Sequence, residues 1–102
     1  MYADRLALQF HGFHPSDFTI DYVNSLLEEL QEEAPYGATT KAHFARQGHD
    51  FRGVIEIHSR AGTFFARAEG TRLKDVGHRL LEQIRRQFDK WKSARFKLAS
   101  AY

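Results

Sequence analysis

Residues 73–92 read LKDVGHRLLEQIRRQFDKWK and carry the clearest periodicity in the chain. Their apolar residues recur mostly every three or four positions, the spacing that places side chains on one face of an α-helix. This stripe consists of Leu73, Val76, Gly77, Leu80, Ile84, Phe88 and Trp91. The pattern predicts an amphipathic helix of about twenty residues whose apolar face packs against another layer of the fold.

The polar faces of this helix are basic. Its charged side chains form three rows: one shoulder of Arg72, Arg79, Arg86 and Lys90, the opposite shoulder of Lys74, Arg85 and Lys92, and between them the acids Asp75, Glu82 and Asp89. The i,i+4 spacing predicts ion pairs of Asp75 with Arg79 and of Glu82 with Arg86, each worth a few tenths of a kcal/mol. Residues 72–97 hold nine bases and three acids, so six positive charges lack a local partner. This excess favours a functional basic face.

Three segments before the helix, residues 39–46, 51–58 and 63–69, alternate in the manner of strands with one buried face. The residues predicted to face the core are Thr40, Ala42 and Phe44, then Gly53, Ile55 and Ile57, then Phe64, Ala66 and Ala68. Residues 47–50 are typical of a turn, and residues 59–62 of a hairpin connection in which Gly62 can adopt a positive φ. Lys41 and Arg67 are therefore expected on the open face of the sheet.

The first part of the chain predicts one more strand and one more helix. Residues 5–11 alternate, and Gly12 to Ser16 then break the strand. A second apolar stripe at helical spacing follows, in Ile20, Val23, Leu26, Leu27 and Leu30. Thr19 is the expected N-cap, with Ser16 and Asp17 as alternatives, and Pro35 and Gly37 end the helix. The fold class is therefore α+β: a β-α-β-β-β-α two-layer sandwich, with two helices on one face of a four-stranded, largely antiparallel sheet.

Length and composition limit the remaining possibilities. The chain has 102 residues and no cysteine, which fits a single domain (1–102) with a core of about residues 5–95 and a short tail at 96–102. Disulfides, thiolate metal sites and cysteine nucleophiles are excluded. The first twenty residues lack the pattern of a signal peptide, and no apolar run is long enough to span a membrane, so a cytoplasmic location is expected.

Charge is divided unevenly along the sequence. Residues 1–37 hold one base and seven acids, whereas residues 38–102 hold fourteen bases and six acids. A domain with a basic C-terminal part can bind a polyanion through one face. The alternative is that the two parts neutralise each other.

Two segments carry a resemblance to a known family. They are Leu8-Gln9-Phe10-His11-Gly12 leading into the capped helix, and Phe64-Phe65-Ala66-Arg67-Ala68-Glu69-Gly70 leading into the basic helix with Arg86-Gln87 and Lys90-x-Lys92. Over about residues 6–95 the chain resembles the ribosome hibernation promoting factor and ribosome-associated inhibitor A family. The resemblance implies a bacterial cytoplasmic protein with a fold like that of a double-stranded-RNA-binding domain, and length favours the short form without an appended dimerisation domain.

The same resemblance implies a function and a partner. Such proteins bind ribosomal RNA of the small subunit near the decoding region and silence the ribosome under stress or in stationary phase. The residues expected to contact RNA are Arg72, Lys74, Arg79, Arg85, Arg86, Lys90 and Lys92, together with Lys41 and Arg67. Family members carry bases on the first helix, but here that helix is acidic, so those contacts do not carry over. Either the second helix and the strands bind the ribosome, or the acidic helix meets a basic protein.

The spacing of the six histidines and of the acidic row does not indicate a chemical site. No histidine pair has metal-ligand spacing, so scattered surface histidines are expected, although His11, His43 and His58 could cluster on the open face and make pH-sensitive RNA contacts. Asp75, Glu82 and Asp89 lie on one exposed line, where ion pairing is the simpler interpretation than acid–base catalysis. No enzyme, cofactor or metal is predicted.

An RNA-recognition motif and a protein-interaction module are the two alternative kinds of binding domain. An RNA-recognition motif is disfavoured, because no strand follows the second helix and the Lys/Arg-Gly-aromatic signature is missing. The alternative from another class is a protein-interaction module that uses the acidic first helix and the exposed sheet face. A weak homodimer through Val54 and Phe65 on that face is a further possibility.

Overall fold

The structure is a computed structural model that describes residues 5–100, with side chains for residues 5–95. Its six elements follow the order β-α-β-β-β-α. They are β1 (Leu6–His11), α1 (Asp17–Glu33), β2 (Thr39–Gln47), β3 (Asp50–Ser59), β4 (Gly62–Gly70) and α2 (Leu73–Ser100). The predicted element order and fold class are confirmed.

The four strands form one mixed sheet in the order β1-β2-β3-β4. β1 runs parallel to β2 through the crossover helix α1, while β2–β3 and β3–β4 are antiparallel hairpin pairs. Every residue predicted to face the core from the last three strands is buried, because period-2 alternation places them on the face that the helices cover. The glycine of the β3–β4 hairpin, Gly62, has the expected positive φ of 127°.

Both helices bury their apolar stripes against this one face. α1 contributes Val23, Leu27 and Leu30, and α2 contributes Val76, Leu80, Leu81, Ile84 and Phe88. Gly53 has no side chain, and this allows α2 to approach β3 closely. A Cβ atom built at Gly53 would lie 2.7 Å from Leu80 Cδ1 and 2.9 Å from Val76 Cγ1. The absence of a side chain at this position therefore sets the distance between α2 and the sheet.

The helix termini differ in two respects from the sequence prediction. The N-cap of α1 is Ser16, whose hydroxyl accepts a hydrogen bond from the Thr19 backbone N–H at 3.2 Å. The expectation for Thr19 was wrong, because the turn at residues 12–16 leaves Ser16 in the extended conformation that a cap requires. α2 also continues to Ser100, through most of the segment predicted as a tail, since no glycine or proline interrupts residues 93–100.

No described helix combines the length and the hydropathy that crossing a bilayer requires.

Candidate nucleic-acid interface

One shoulder of α2 lies along the free edge of the sheet. We call Arg72, Arg79, Arg86 and Lys90 the edge shoulder, because the side of α2 that carries them is bonded to the outer edge of β4. The Arg79 guanidinium donates to the Glu69 carbonyl at 2.8 Å. All four side chains are exposed, and none forms an ion pair with any residue between 5 and 95. Four positive charges therefore line one side of the helix, and none of them is within ion-pair distance of a described acid.

Two glutamines hold this arrangement in place. The Gln83 amide accepts from the Arg67 backbone N–H at 3.3 Å and donates to the Arg67 carbonyl at 2.9 Å. Gln87 makes the same pair of bonds with Phe65, at 2.9 and 2.6 Å. An edge strand exposes unpaired backbone groups, and side-chain amides satisfy them here. Gln83 and Gln87 thus satisfy backbone groups at the β4 edge and hold α2 beside that strand.

These glutamines were not predicted from the sequence. Their i,i+4 spacing next to the apolar stripe is the one available signal, and it is shared by many solvent-exposed pairs. Only the register between α2 and β4 shows that both amides reach the same edge.

Arg67 belongs with the edge shoulder, and Lys41 does not. Both side chains are exposed on the open face, as predicted. Arg67 lies on β4, and its backbone is bonded to Gln83, one turn from Arg79 and Arg86. Lys41 lies two strands away on β2, about 10 Å across the sheet, where Glu56 is its register partner. Lys41 instead lines a shallow concavity with His43 and Arg52.

The opposite shoulder consists of Lys74, Arg85 and Lys92, of which Lys74 and Arg85 lie next to the acidic helix. Arg85 binds Glu29 through Nη2 at 3.4 Å and Glu33 through Nε at 3.2 Å. Acids of α1 thus compensate the charge of Arg85, whereas the edge shoulder retains its charge. Arg85 is the residue by which the two shoulders differ, since Lys74 and Lys92 are exposed and form no ion pair with a described residue.

The ion pairs predicted within α2 are absent from the described part of the chain. Neither Asp75 with Arg79 nor Glu82 with Arg86 comes within ion-pair distance. That prediction was wrong because Arg79 turns to the Glu69 carbonyl instead, where a backbone acceptor at the β4 edge competes with a solvated carboxylate.

The structure brings together two of the three histidines expected on the open face. The rings of His11 and His43 stack with a centroid separation of 4.4 Å and an interplanar angle of 21°. His58 lies near the other end of the sheet, opposite Thr39, and contacts Glu56 at 3.4 Å and Thr63 at 3.3 Å. His58 does not join the other two, because four residues of β2, about 13 Å, separate His43 from the position paired with His58.

Phe65 is the exposed member of its aromatic pair, as predicted, with 46% of its surface accessible, whereas Phe64 is buried. Among the described residues no three His, Asp or Glu side chains converge in a geometry that could bind a metal ion. A homodimer through the open face stays a prediction.

Comparison with known proteins identifies the fold. No family model matches the sequence, and none of the curated proteins is significantly similar to it. Among solved structures, the chain is similar to the N-terminal domain of Thermus thermophilus Protein Y, with a TM-score of 0.71, 17% identity and coverage of 84% of this chain and 94% of that one. It is also similar to a ribosomal subunit interface protein from Coxiella burnetii, with a TM-score of 0.69, 16% identity and coverage of 85% and 98%.

Both structures are of the hibernation-promoting-factor type. The resemblance predicted from the sequence is therefore confirmed at the level of the fold. At these identities the match shows a common architecture, and the function must be argued from the residues of this chain.

Proposed function

We propose that this protein is a cytoplasmic, ribosome-associated factor that binds ribosomal RNA of the small subunit near the decoding region and so silences translation. The edge shoulder of α2 and Arg67 form the RNA contact. The observation that carries the proposal is the row of exposed bases at the β4 edge, none of them paired with a described acid.

The chemistry of these side chains suits an RNA backbone. Structured RNA is recognised mainly through its shape, phosphates and sugar hydroxyls. Arginine binds a phosphate through two parallel hydrogen bonds, and three of the four edge-shoulder residues are arginines. From Arg72 to Lys90 the row extends about 27 Å along the helix axis, so it can follow several phosphates at once.

The fold supports the ribosome as the partner. One protein of the same architecture is described as a ribosomal subunit interface protein. Conditions of stress or stationary phase, in which the family acts, are the setting expected for this protein as well.

A pair of matched variants tests the proposal. Arg86→Glu with Lys90→Glu reverses two charges on the edge shoulder, and Lys41→Glu with Lys92→Glu makes the same change at two exposed bases outside it. Arg79 is left unchanged because it holds the Glu69 carbonyl. Co-sedimentation with purified small subunits at low salt should show at least a tenfold loss of affinity for the first pair and less than a threefold loss for the second. Equal losses for both pairs, or no binding by the wild-type protein, would contradict the proposal.

The protein-interaction module remains as a second candidate, because Phe65 and the acidic α1 are also exposed. Salt dependence combined with the charge variants separates the two functions. Phosphate contacts release counterions, so RNA binding weakens steeply as the salt concentration rises and reversing edge-shoulder charges lowers this slope, whereas docking of a protein on α1 or Phe65 leaves the slope unaffected by those variants.

A further inference from the structure

A groove separates the N-terminal turns of the two helices. Its volume is about 170 Å³, and its lining is mainly apolar. The residues that line it are Phe18, Thr19, Tyr22 and Val23 of α1 and Leu73 and Lys74 of α2. Phe18 stands at the rim with 82% of its surface exposed, the largest value for any phenylalanine among the described residues. An exposed phenylalanine beside an apolar groove is typical of a surface that binds another molecule.

The contacts beneath the groove hold its walls in place. The Tyr22 hydroxyl and His78 Nε2 lie 3.3 Å apart, which links the two helices by a hydrogen bond. One turn further along α1, Leu26 packs over Gly77, where an added Cβ would lie 3.4 Å from Leu26 Cδ1. Further along the contact between the two helices, Arg85 binds Glu29 and Glu33. The groove is therefore preformed, and a ligand would not need to separate the helices.

The charge around the groove indicates which ligand it accepts. α1 holds six acids and no base over Asp17–Glu33. Asp17 precedes Phe18 in the sequence, and Asp21 lies one turn away from it on the same helix. Lys74 is the one base in the lining, and its aliphatic stem can form apolar wall while its ammonium group stays in water. A polyphosphate would be repelled by α1, whereas a cationic segment would be attracted.

We propose that this groove docks a lysine- or arginine-rich protein segment that inserts one apolar side chain beside Phe18. The volume is comparable to cavities that accept a single aromatic ring, so one branched aliphatic or aromatic anchor fits. The basic residues of the segment lie beside Asp17 and Asp21, at the N-terminal end of α1. The partner is a protein component of the ribosome, and in this respect the inference rests on the proposed function. The protein thus contacts RNA with α2 and a basic protein with α1.

Photo-crosslinking tests the groove directly. p-Benzoylphenylalanine is introduced in place of Phe18 and, as a control, in place of Tyr36, which is 96% exposed and lies beyond the C-terminal end of α1. Each variant is bound to purified small ribosomal subunits at low salt and irradiated. We expect position 18 to cross-link to a lysine- or arginine-rich segment of a ribosomal protein, with a yield at least fivefold above that of position 36.

A charge reversal then tests the complementarity. Asp21→Lys should lower the cross-link yield from position 18 at least fivefold, whereas Glu32→Lys, the same change at the far end of α1, should leave it within twofold. Cross-linking of position 18 to RNA, or a yield no higher than that of position 36, would overturn the inference even if the protein pellets with the subunits. Failure to pellet would instead overturn the proposed function, and the ribosomal assignment of the groove with it.

Discussion

The two helices occupy equivalent positions but carry opposite charge. α1 and α2 lie on the same face of the sheet, and each buries a stripe of aliphatic or aromatic residues at helical spacing. Their solvent-facing sides differ completely, because α1 has six acids and no base, whereas α2 is rich in arginine and lysine. The buried stripe therefore determines where a helix lies, and the exposed surface determines what it binds.

Ion pairs connect the two helices where they pack against each other. Acids of α1 neutralise Arg85 on the near shoulder of α2, and they cannot reach the edge shoulder on the far side. The acidic helix thus concentrates the usable positive charge at the β4 edge. The two helices thus present one basic face and one acidic face.

The largest effect is expected when either buried stripe is shortened. Leu80 of α2 and Leu27 of α1 are at most 1% exposed. Leu80→Ala and Leu27→Ala should each lower the free energy of unfolding by about 2–5 kcal/mol, because each deletion leaves a cavity in the same core. Urea denaturation measures both. A loss below about 1 kcal/mol for Leu27→Ala would show that α1 contributes less to the core than α2 does.

The next effect concerns the bonds that hold α2 to β4. Gln83→Ala combined with Gln87→Ala removes four hydrogen bonds from the strand edge. Because water can partly replace them at this exposed site, we expect a loss of about 1–3 kcal/mol and concentration-dependent self-association through the opened edge. Thermal unfolding and size-exclusion chromatography report these outcomes. Gln47→Ala, at the exposed end of β2, is the control, and a double variant that behaves like it would contradict the role assigned to the glutamines.

Removing acids from α1 tests whether Arg85 takes part in RNA binding. Glu29→Gln with Glu33→Gln removes both partners of Arg85, and Glu28→Gln with Glu32→Gln makes the same charge change at residues without an ion pair among the described residues. Stability should change by less than about 1 kcal/mol in either variant, since the ion pairs are partly exposed. Affinity for small subunits should rise equally in both pairs, by about twofold, because Arg85 lies on the shoulder away from the RNA contact and only the loss of two negative charges is felt. A larger rise for the first pair would place Arg85 in the RNA contact.

The smallest effect distinguishes the two bases on the open face. Arg67→Gln should weaken ribosome binding about threefold, because Arg67 lies beside the edge shoulder. Lys41→Gln should change it by less than twofold, since Lys41 lies two strands away. Parallel titrations of small subunits measure both. A larger loss for Lys41→Gln would show that RNA contacts the open face around β2 and not the β4 edge.

Periodicity alone was sufficient to predict all six elements and the face that each one buries. Side-chain spacing reports burial directly, which is why the stripe from Val76 to Phe88 and the alternation in β3 were predicted correctly. Contacts between elements were not predictable in the same way. The bonds of Gln83 to β4, the pairing of Arg85 with α1 and the separation of His58 from His43 depend on the register between segments distant in sequence.

The candidate site was predicted as nine bases, and the structure divides them. The edge shoulder lies along β4, the strand that carries Arg67, whereas Lys74 and Arg85 lie next to α1 and Lys41 lies two strands away. A helical wheel shows the two shoulders, but it cannot show which one a neighbouring helix will neutralise. That information lies in the packing of α1 against α2.

The salt dependence of binding to purified small subunits tests the central claim most directly. The logarithm of the binding constant is plotted against the logarithm of the salt concentration for the wild-type protein and for Arg86→Glu with Lys90→Glu. If the edge shoulder contacts phosphates, the wild-type slope is steep, and the double variant reduces it by about 2, one for each lost contact. A wild-type slope near zero, or an unchanged slope in the variant, would contradict the account.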